Sequence, residues 1–98
     1  MEHIRVATYR TKGGATVGEI ADAAKSGMLD RFRLEPGFHR YEVADLGEGQ
    51  LISISLWESR DAAERGVAAA SEWVAENLAS KIDLVSNQVG EVAFTGTN

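Results

Sequence analysis

Residues 51–57, LISISLW, alternate in a way that predicts a β-strand with two different faces. One face is aliphatic and consists of Ile52, Ile54 and Leu56. The other face carries two hydroxyl groups and an indole, from Ser53, Ser55 and Trp57. Alternation with a period of two is the pattern of a strand, but a face that meets solvent more often carries Lys, Glu or Thr. The surroundings of this second face therefore decide whether the chain has a pocket, a partner or both.

The preceding segments predict a strand followed by a helix. Residues 3–11 are rich in β-branched and aromatic side chains, as strands are. Thr16 and Glu19 have the spacing of a capping box that starts a helix, and Pro36 predicts where that helix ends. Apolar side chains recur along the helix at four-residue intervals, at Ile20, Ala24, Met28 and Phe32. Gly27 interrupts this helix, which we attribute to a close contact between helix and sheet.

The remaining segments predict three strands and a second helix. A second strand, FHRYEVAD, is joined to the LISISLW strand by a glycine-containing hairpin loop, DLGEGQ. Ser59 is placed to cap a helix, and the final strand is predicted at about residues 89–95. The helix has a thin, alanine-rich apolar stripe, which lets it lie close to a sheet: Ala63, Val67, Ala70, Val74 and Leu78.

This order, β-α-β-β-α-β, predicts a single α+β domain over residues 1–98 with a ferredoxin-like fold. In that fold a four-stranded antiparallel sheet carries both helices on one face. Nothing within the chain then covers the other face, where Ile52, Ile54 and Leu56 are expected. A second copy of the chain is the simplest cover, so we expect a homodimer that packs sheet against sheet.

Composition excludes several classes of function. A net charge of −5 without any cluster of Lys or Arg argues against nucleic-acid binding. The chain has no cysteine, which excludes disulfides and thiolate chemistry. No stretch of apolar residues is long enough to span a membrane, and the chain begins without an export signal, so a cytoplasmic protein is expected.

Four sequence stretches resemble the antibiotic-biosynthesis-monooxygenase family of dimeric α/β barrels. They are PGF before the second strand, LWESRDAAE at the start of the second helix, and WVAENL and VGEV further on. The resemblance implies a barrel formed by two sheets at a dimer interface, with a pocket between each sheet and its own helices. It also implies that Ser53, Ser55 and Trp57 line that pocket, and that the aliphatic face meets the partner's sheet.

The chain departs from the family pattern at two positions. Polyketide-oxidising members carry an asparagine where this chain has Ser53, and many members carry a histidine where it has Gly66. Haem-degrading members need a histidine on the second helix and an asparagine on the first strand. This chain has neither, so no haem, no other cofactor and no metal are expected.

The candidate site residues are Ser53, Ser55, Trp57, His39 and Tyr41, and each has an alternative interpretation. Trp57 is either a wall for a planar ligand or a core side chain that closes the end of the sheet. Ser53 and Ser55 either anchor a ligand oxygen or let the helix approach. His39 and Tyr41 are expected on one face of their strand, where they could deprotonate a phenol, or on the rim of a dimer interface.

Two classes of function remain open at this point. The family resemblance implies a cofactor-independent monooxygenase that acts on a small, electron-rich aromatic, similar to a polyketide or a quinol. The alternative is a non-catalytic dimeric barrel that binds a small ligand or serves a stress-related role. A cavity large enough for a bicyclic aromatic would favour the enzyme, and a pocket filled by its own side chains would favour the alternative.

Overall fold

The computed structural model describes residues 1–98 and has the predicted ferredoxin-like topology. Its four strands form one antiparallel sheet in the order β2-β3-β1-β4. The elements, in chain order, are β1 (His3–Thr11), α1 (Val17–Ala23), a π-helical segment (Ala24–Met28), α2 (Leu29–Arg33), β2 (Phe38–Gly47), β3 (Gln50–Trp57), α3 (Arg60–Asn77) and β4 (Ile82–Glu91). None of the helices combines the length and the apolar character that a bilayer crossing requires.

The first helical region starts and ends where the sequence predicts. The Thr16 hydroxyl accepts a hydrogen bond of 3.2 Å from the backbone N–H of Glu19, which confirms the N-cap. The Glu19 carboxylate does not complete the capping box but pairs with Lys81 at 2.7 Å. The last turn ends at Arg33, before Pro36.

A π-helical segment replaces the middle of this predicted helix, and Gly27 lies within it. A Cβ atom at Gly27 would lie 2.6 Å from Cζ2 of Trp73, which is on α3. The glycine therefore permits a close contact between two helices, and the expected helix–sheet contact is wrong. The four-residue apolar spacing gives no sign of the π-helical segment, because apolar side chains face inward both before and after it.

The second helix, α3, packs through its smallest residues. Ser59 caps it as predicted, with its hydroxyl accepting a hydrogen bond of 3.1 Å from the N–H of Ala62. The predicted valines of the stripe, Val67 and Val74, are only half-buried. The face that is buried against the sheet consists of Ala62, Ala63, Gly66, Ala69 and Ala70. The helix axis is thus close to the sheet, as the alanine-rich stripe predicted.

The two faces of the sheet have different surroundings. Both buried clusters of the chain lie on the face that packs against the helices, which we call the helix face. On the opposite, outer face, antiparallel pairing places Ile4 beside Leu56 and Val6 beside Ile54. No helix covers this aliphatic outer face.

Strand β4 is placed differently from its prediction. It begins at Ile82 rather than Val89 and ends at Glu91, before Thr95. The segment DLVSNQ has many polar and exposed residues and therefore lacked a clear strand pattern. A register shift against Thr8 and Tyr9 of β1 also breaks the alternation within β4.

Candidate functional site

A small cavity lies between the helix face of the sheet and the helices. The helical region from α1 to α2 supplies one side of it, including Met28 and Phe32, and α3 supplies Trp73 on the other. The wall is apolar except for four groups that β1, β2 and β3 direct into it: the guanidinium of Arg5, the hydroxyl of Ser53 and the phenols of Tyr9 and Tyr41. An apolar cavity with a few converging polar groups is the usual form of a ligand site.

The volume of this cavity limits what it holds as it stands. It measures about 20 Å³, which is room for roughly one water molecule. An aromatic ring the size of benzene fills a cavity of about 150 Å³. A planar ligand would therefore have to displace the side chains that now fill the space. Met28 belongs to the π-helical segment, and such segments often occur at functional sites.

Arg5 is the least expected residue of the site. Its side chain is buried, with 2% of the residue exposed, yet it takes part in none of the ion pairs of the chain. Its Nε donates a hydrogen bond of 2.7 Å to Oδ1 of Asn87, and its Nη2 donates one of 3.1 Å to the Tyr9 hydroxyl. Both acceptors are neutral. A buried cation without a counter-ion carries a desolvation cost of several kcal/mol.

Sequence reasoning missed Arg5, although the register of the sheet could have revealed it. Strand β1 pairs antiparallel with β3, which puts Arg5 opposite Ser55 and Ala7 opposite Ser53. Once the aliphatic residues of β3 are assigned to the outer face, Ile4 and Val6 must join them. Arg5 then has to lie on the helix face.

Tyr41 reaches the same cavity from β2. Burial raises the pKa of its phenol above the usual range, and a hydrogen bond with Ser53 opposes that shift only in part. The group is therefore neutral at physiological pH and acts as a hydrogen-bond donor or acceptor rather than as a base. Tyr41 and Ser53 are the two predicted site residues that the structure brings together at the cavity.

Ser55 and Trp57 lie beside the cavity and not in its wall. Trp57 is fully buried, and its Nε1 donates a hydrogen bond of 2.8 Å to Oγ of Ser55. The indole meets the ring of Phe32 edge-on at 5.2 Å and that of Phe38 at 5.3 Å. The polar atoms of this pair are thus satisfied by each other, in a packed environment.

His39 lies on a different face from Tyr41, so the expectation that they share one is wrong. The register between β2 and β3 shifts between Phe38 and Arg40, and the extra residue reverses the alternation at this point. Nδ1 of His39 lies 2.7 Å from a carboxylate oxygen of Glu2, in an exposed position near Leu56 of the outer face. No imidazole reaches the cavity.

Solved structures share this arrangement of helices and strands. SnoaB, a cofactor-independent oxygenase from Streptomyces nogalater, matches with a TM-score of 0.75 at 18% identity, over 96% of this chain and 95% of that one. HapK from Hahella chejuensis matches with a TM-score of 0.73 at 14% identity, over 100% and 98%. A protein of Chloroflexus aurantiacus, provisionally assigned to the antibiotic biosynthesis monooxygenases, matches with 0.66 at 15% identity, over 98% of both chains.

The chain has the fold of the antibiotic-biosynthesis-monooxygenase-like proteins. This confirms the fold that the sequence resemblance implied. No protein-family model and no curated protein matches the chain by sequence. Likeness at these identities establishes the fold, whereas activity depends on the side chains of the site.

Gly66 explains one departure from the pattern of these monooxygenase-like proteins. It occupies the position on α3 where the sequence resemblance implies a histidine in many members. A Cβ atom at Gly66 would overlap the indole of Trp57, because the ring lies directly against the helix backbone. The space for a side chain at this position is thus taken by Trp57.

Proposed function

We propose that the protein is a cofactor-independent monooxygenase-like protein that takes a small aromatic hydroxy compound into the helix–sheet cavity. The observation that carries this proposal is the convergence of Arg5, Tyr41 and Ser53 on an otherwise apolar space. Phenols and enols fit such a site because they combine a planar apolar body with one acidic oxygen. The likeness to SnoaB, itself a cofactor-independent oxygenase, supports the same class of reaction.

The proposed chemistry needs no cofactor because the substrate supplies the electrons. In an anthrone-like compound a ring CH₂ becomes a C=O group, and the carbon gives up four electrons to O₂. One oxygen atom enters the product, and the other leaves as water with the two hydrogens of the CH₂ group. The role of the protein is to hold the enolate form of the substrate and to keep it oriented.

Three of the four polar groups of the cavity have a role in that scheme. The uncompensated charge of Arg5 favours the ionised form of the substrate, and thus lowers the substrate's pKa. Neutral Tyr41 and Ser53 donate hydrogen bonds to the substrate oxygen. Because His39 lies outside the cavity, the proton passes to water rather than to an imidazole.

A second candidate function is a non-catalytic protein that binds a small ligand or serves a stress-related role. The observation that favours it is the cavity volume of about 20 Å³, since the pocket is filled by its own side chains. Ser55 and Trp57 also bond to each other, and neither side chain lines the cavity. The two candidates differ in whether binding leads to oxygen consumption.

Oxygen uptake separates the two candidates. An anthrone-like compound should raise oxygen uptake above the protein-free rate without added flavin or metal, and should quench Trp73, which lines the cavity. Tyr41→Phe and Ser53→Ala should lower the rate, whereas Ser59→Ala, a change at the cap of α3, should not lower the rate of the folded protein. Quenching without oxygen uptake would support the binding protein. Neither quenching nor uptake would contradict both candidates.

The outer face supports a homodimer within this proposal. Its aliphatic residues, which no helix covers, fit a second copy of the same sheet, and sedimentation equilibrium should give twice the chain mass of 10.6 kDa. Ile54→Lys should yield a monomer, because it would bury an unpaired charge at the interface. Ala68→Lys, at an exposed position of α3, is the matched control and should stay dimeric. A monomeric wild-type protein would contradict this assembly. A cytoplasmic location likewise stays a prediction.

A further inference from the structure

An open groove between α3 and β4 provides a second approach to Arg5. The groove measures about 240 Å³, and Arg5, Tyr9 and Asn87 lie along it together with apolar side chains of both elements. Arg5 lines the helix–sheet cavity as well, so one guanidinium lies between two spaces. The groove is larger than the cavity by an order of magnitude, and Arg5, with 2% of the residue exposed, is a buried part of its lining.

Arg5 has hydrogen-bonding capacity that no group of the protein uses. A guanidinium has five N–H donors. The bonds to Asn87 and Tyr9 use one donor on Nε and one on Nη2, which leaves Nη1 and the second hydrogen of Nη2. This end of the guanidinium matches the two oxygens of a carboxylate. A carboxylate would also supply the counter-charge that the protein itself does not provide.

The other residues of the groove determine the kind of group to which the bound carboxylate is attached. Val67 and Val74 of α3 face Leu84 of β4 across it, and Leu84 is 53% exposed. Arg5 is the only charged side chain that lines the groove, which suits a monoanion better than a phosphate dianion. The volume exceeds the roughly 150 Å³ that holds a benzene ring.

We propose that the α3–β4 groove binds a small apolar monocarboxylate of about the size of benzoate, with its carboxylate on Arg5 and its apolar body between Val74 and Leu84. This site shares Arg5, Tyr9 and Val74 with the helix–sheet cavity, whereas Leu84 and Asn87 line the groove and not the cavity. Binding there does not depend on an oxygenase reaction. It explains why a buried arginine without a counter-ion is kept beside neutral Asn87 and Tyr9.

The primary test is calorimetric titration of the full chain with benzoate and with benzyl alcohol, its neutral counterpart. Benzoate should bind at least about tenfold more tightly than the alcohol, since a hydrogen bond to a charged group is stronger than one between neutral groups. Equal affinities would overturn the proposal. So would the absence of benzoate binding up to about 10 mM, a concentration at which even weak sites fill.

Asn87→Asp tests the role of the uncompensated charge with almost no change in shape. The new carboxylate would lie where Oδ1 of Asn87 now accepts the 2.7 Å hydrogen bond from Arg5. It should act as an internal counter-ion, so benzoate affinity should fall at least about tenfold while the melting temperature rises. Undiminished affinity in this variant would contradict the role of Arg5.

Leu84→Trp locates the ligand in the groove rather than in the cavity. The indole should fill the groove and abolish benzoate binding, while oxygen uptake with an anthrone-like compound stays unchanged. Leu46→Trp, at the similarly exposed tip of the β2–β3 hairpin, is the matched control and should bind benzoate as the wild type does. Benzoate binding that survives Leu84→Trp would overturn the groove site. Because benzoate binding is measured without turnover, loss of oxygenase activity alone would leave this site intact.

Discussion

The helix face of the sheet has two adjacent regions that are built in opposite ways. In one, which we call the Trp57 region, Ser55, Trp57 and Gly66 fit together without a gap, and the one indole N–H is satisfied by the neighbouring hydroxyl. In the other, the Arg5 region, a buried charge and the neutral phenol of Tyr41 border on unfilled space. The first region is built for packing, whereas the second retains hydrogen-bonding capacity that the chain does not use.

One strand contributes to both regions, so the type of residue does not decide its role. Ser53 and Ser55 are two positions apart on the helix face of β3 and are both buried. Ser55 accepts the bond from Trp57, whereas Ser53 faces the cavity and Tyr41. What distinguishes them is the neighbouring space: Ser55 bonds to a fully packed indole, whereas Ser53 borders on the cavity.

The largest effect should come from removing the buried indole of the Trp57 region. Trp57→Ala removes a fully buried indole and should lower the free energy of unfolding by about 3–5 kcal/mol. Urea unfolding followed by circular dichroism measures this loss. If Trp57→Ala instead unfolds like the wild type and loses only ligand binding, then Trp57 is a pocket wall and the comparison fails.

Arg5→Met is the matched change in the Arg5 region. It removes a charge that has no counter-ion but also gives up the hydrogen bonds to Asn87 and Tyr9. These contributions oppose each other, so the free energy of unfolding should change by less than about 1 kcal/mol. A loss of unfolding free energy as large as that of Trp57→Ala would show that both regions serve mainly to stabilise the fold.

An intermediate effect is expected from adding one methyl group to the Trp57 region. Gly66→Ala forces a Cβ atom against the indole of Trp57 and should destabilise the protein by about 1–3 kcal/mol. Gly18→Ala is the control, because a Cβ atom at that position of α1 meets nothing within 4 Å. It should stabilise the protein by up to about 1 kcal/mol through helix propensity. Equal urea midpoints for the two variants would contradict the close fit at Gly66.

The smallest expected effect is the dependence of stability on alkaline pH in the Arg5 region. Burial raises the pKa of Tyr41, so its proton is held more tightly in the folded protein than in the unfolded chain. The associated stability is fully present below the ordinary phenol pKa of about 10, and is lost as pH rises from there through the higher folded pKa. Tyr41→Phe should flatten this decline in urea midpoints measured from pH 9 to 11. An identical decline in the variant would assign it to other groups.

The sequence was sufficient for most of the fold. Alternation and four-residue spacing depend on single elements, so the strands around Ile54, the caps at Thr16 and Ser59 and the uncovered outer face could all be predicted. The bulge near His39 and the π-helical segment could not, because each inserts one residue without changing composition.

The candidate site was predicted less completely than the fold. Tyr41 and Ser53 could be placed from the register of their strands, and the structure puts both at the cavity. Arg5 is important because no carboxylate lies near it. The local spacing of residues in the sequence does not reveal this. Ser55 and Trp57 were assigned to the correct face, but only the contact with Gly66 reveals how fully the indole fills its surroundings.

The contact between Gly66 and Trp57 also restricts the order in which this chain could acquire new side chains. A histidine at position 66 has no room while the indole lies against the backbone of α3. It becomes acceptable only after Trp57 has been replaced by a smaller side chain, and that first step carries the cost of an emptied core. A chain evolving towards an imidazole on this helix would therefore have to pass through a less stable intermediate. In a selection experiment, prior stabilising substitutions elsewhere should open that route.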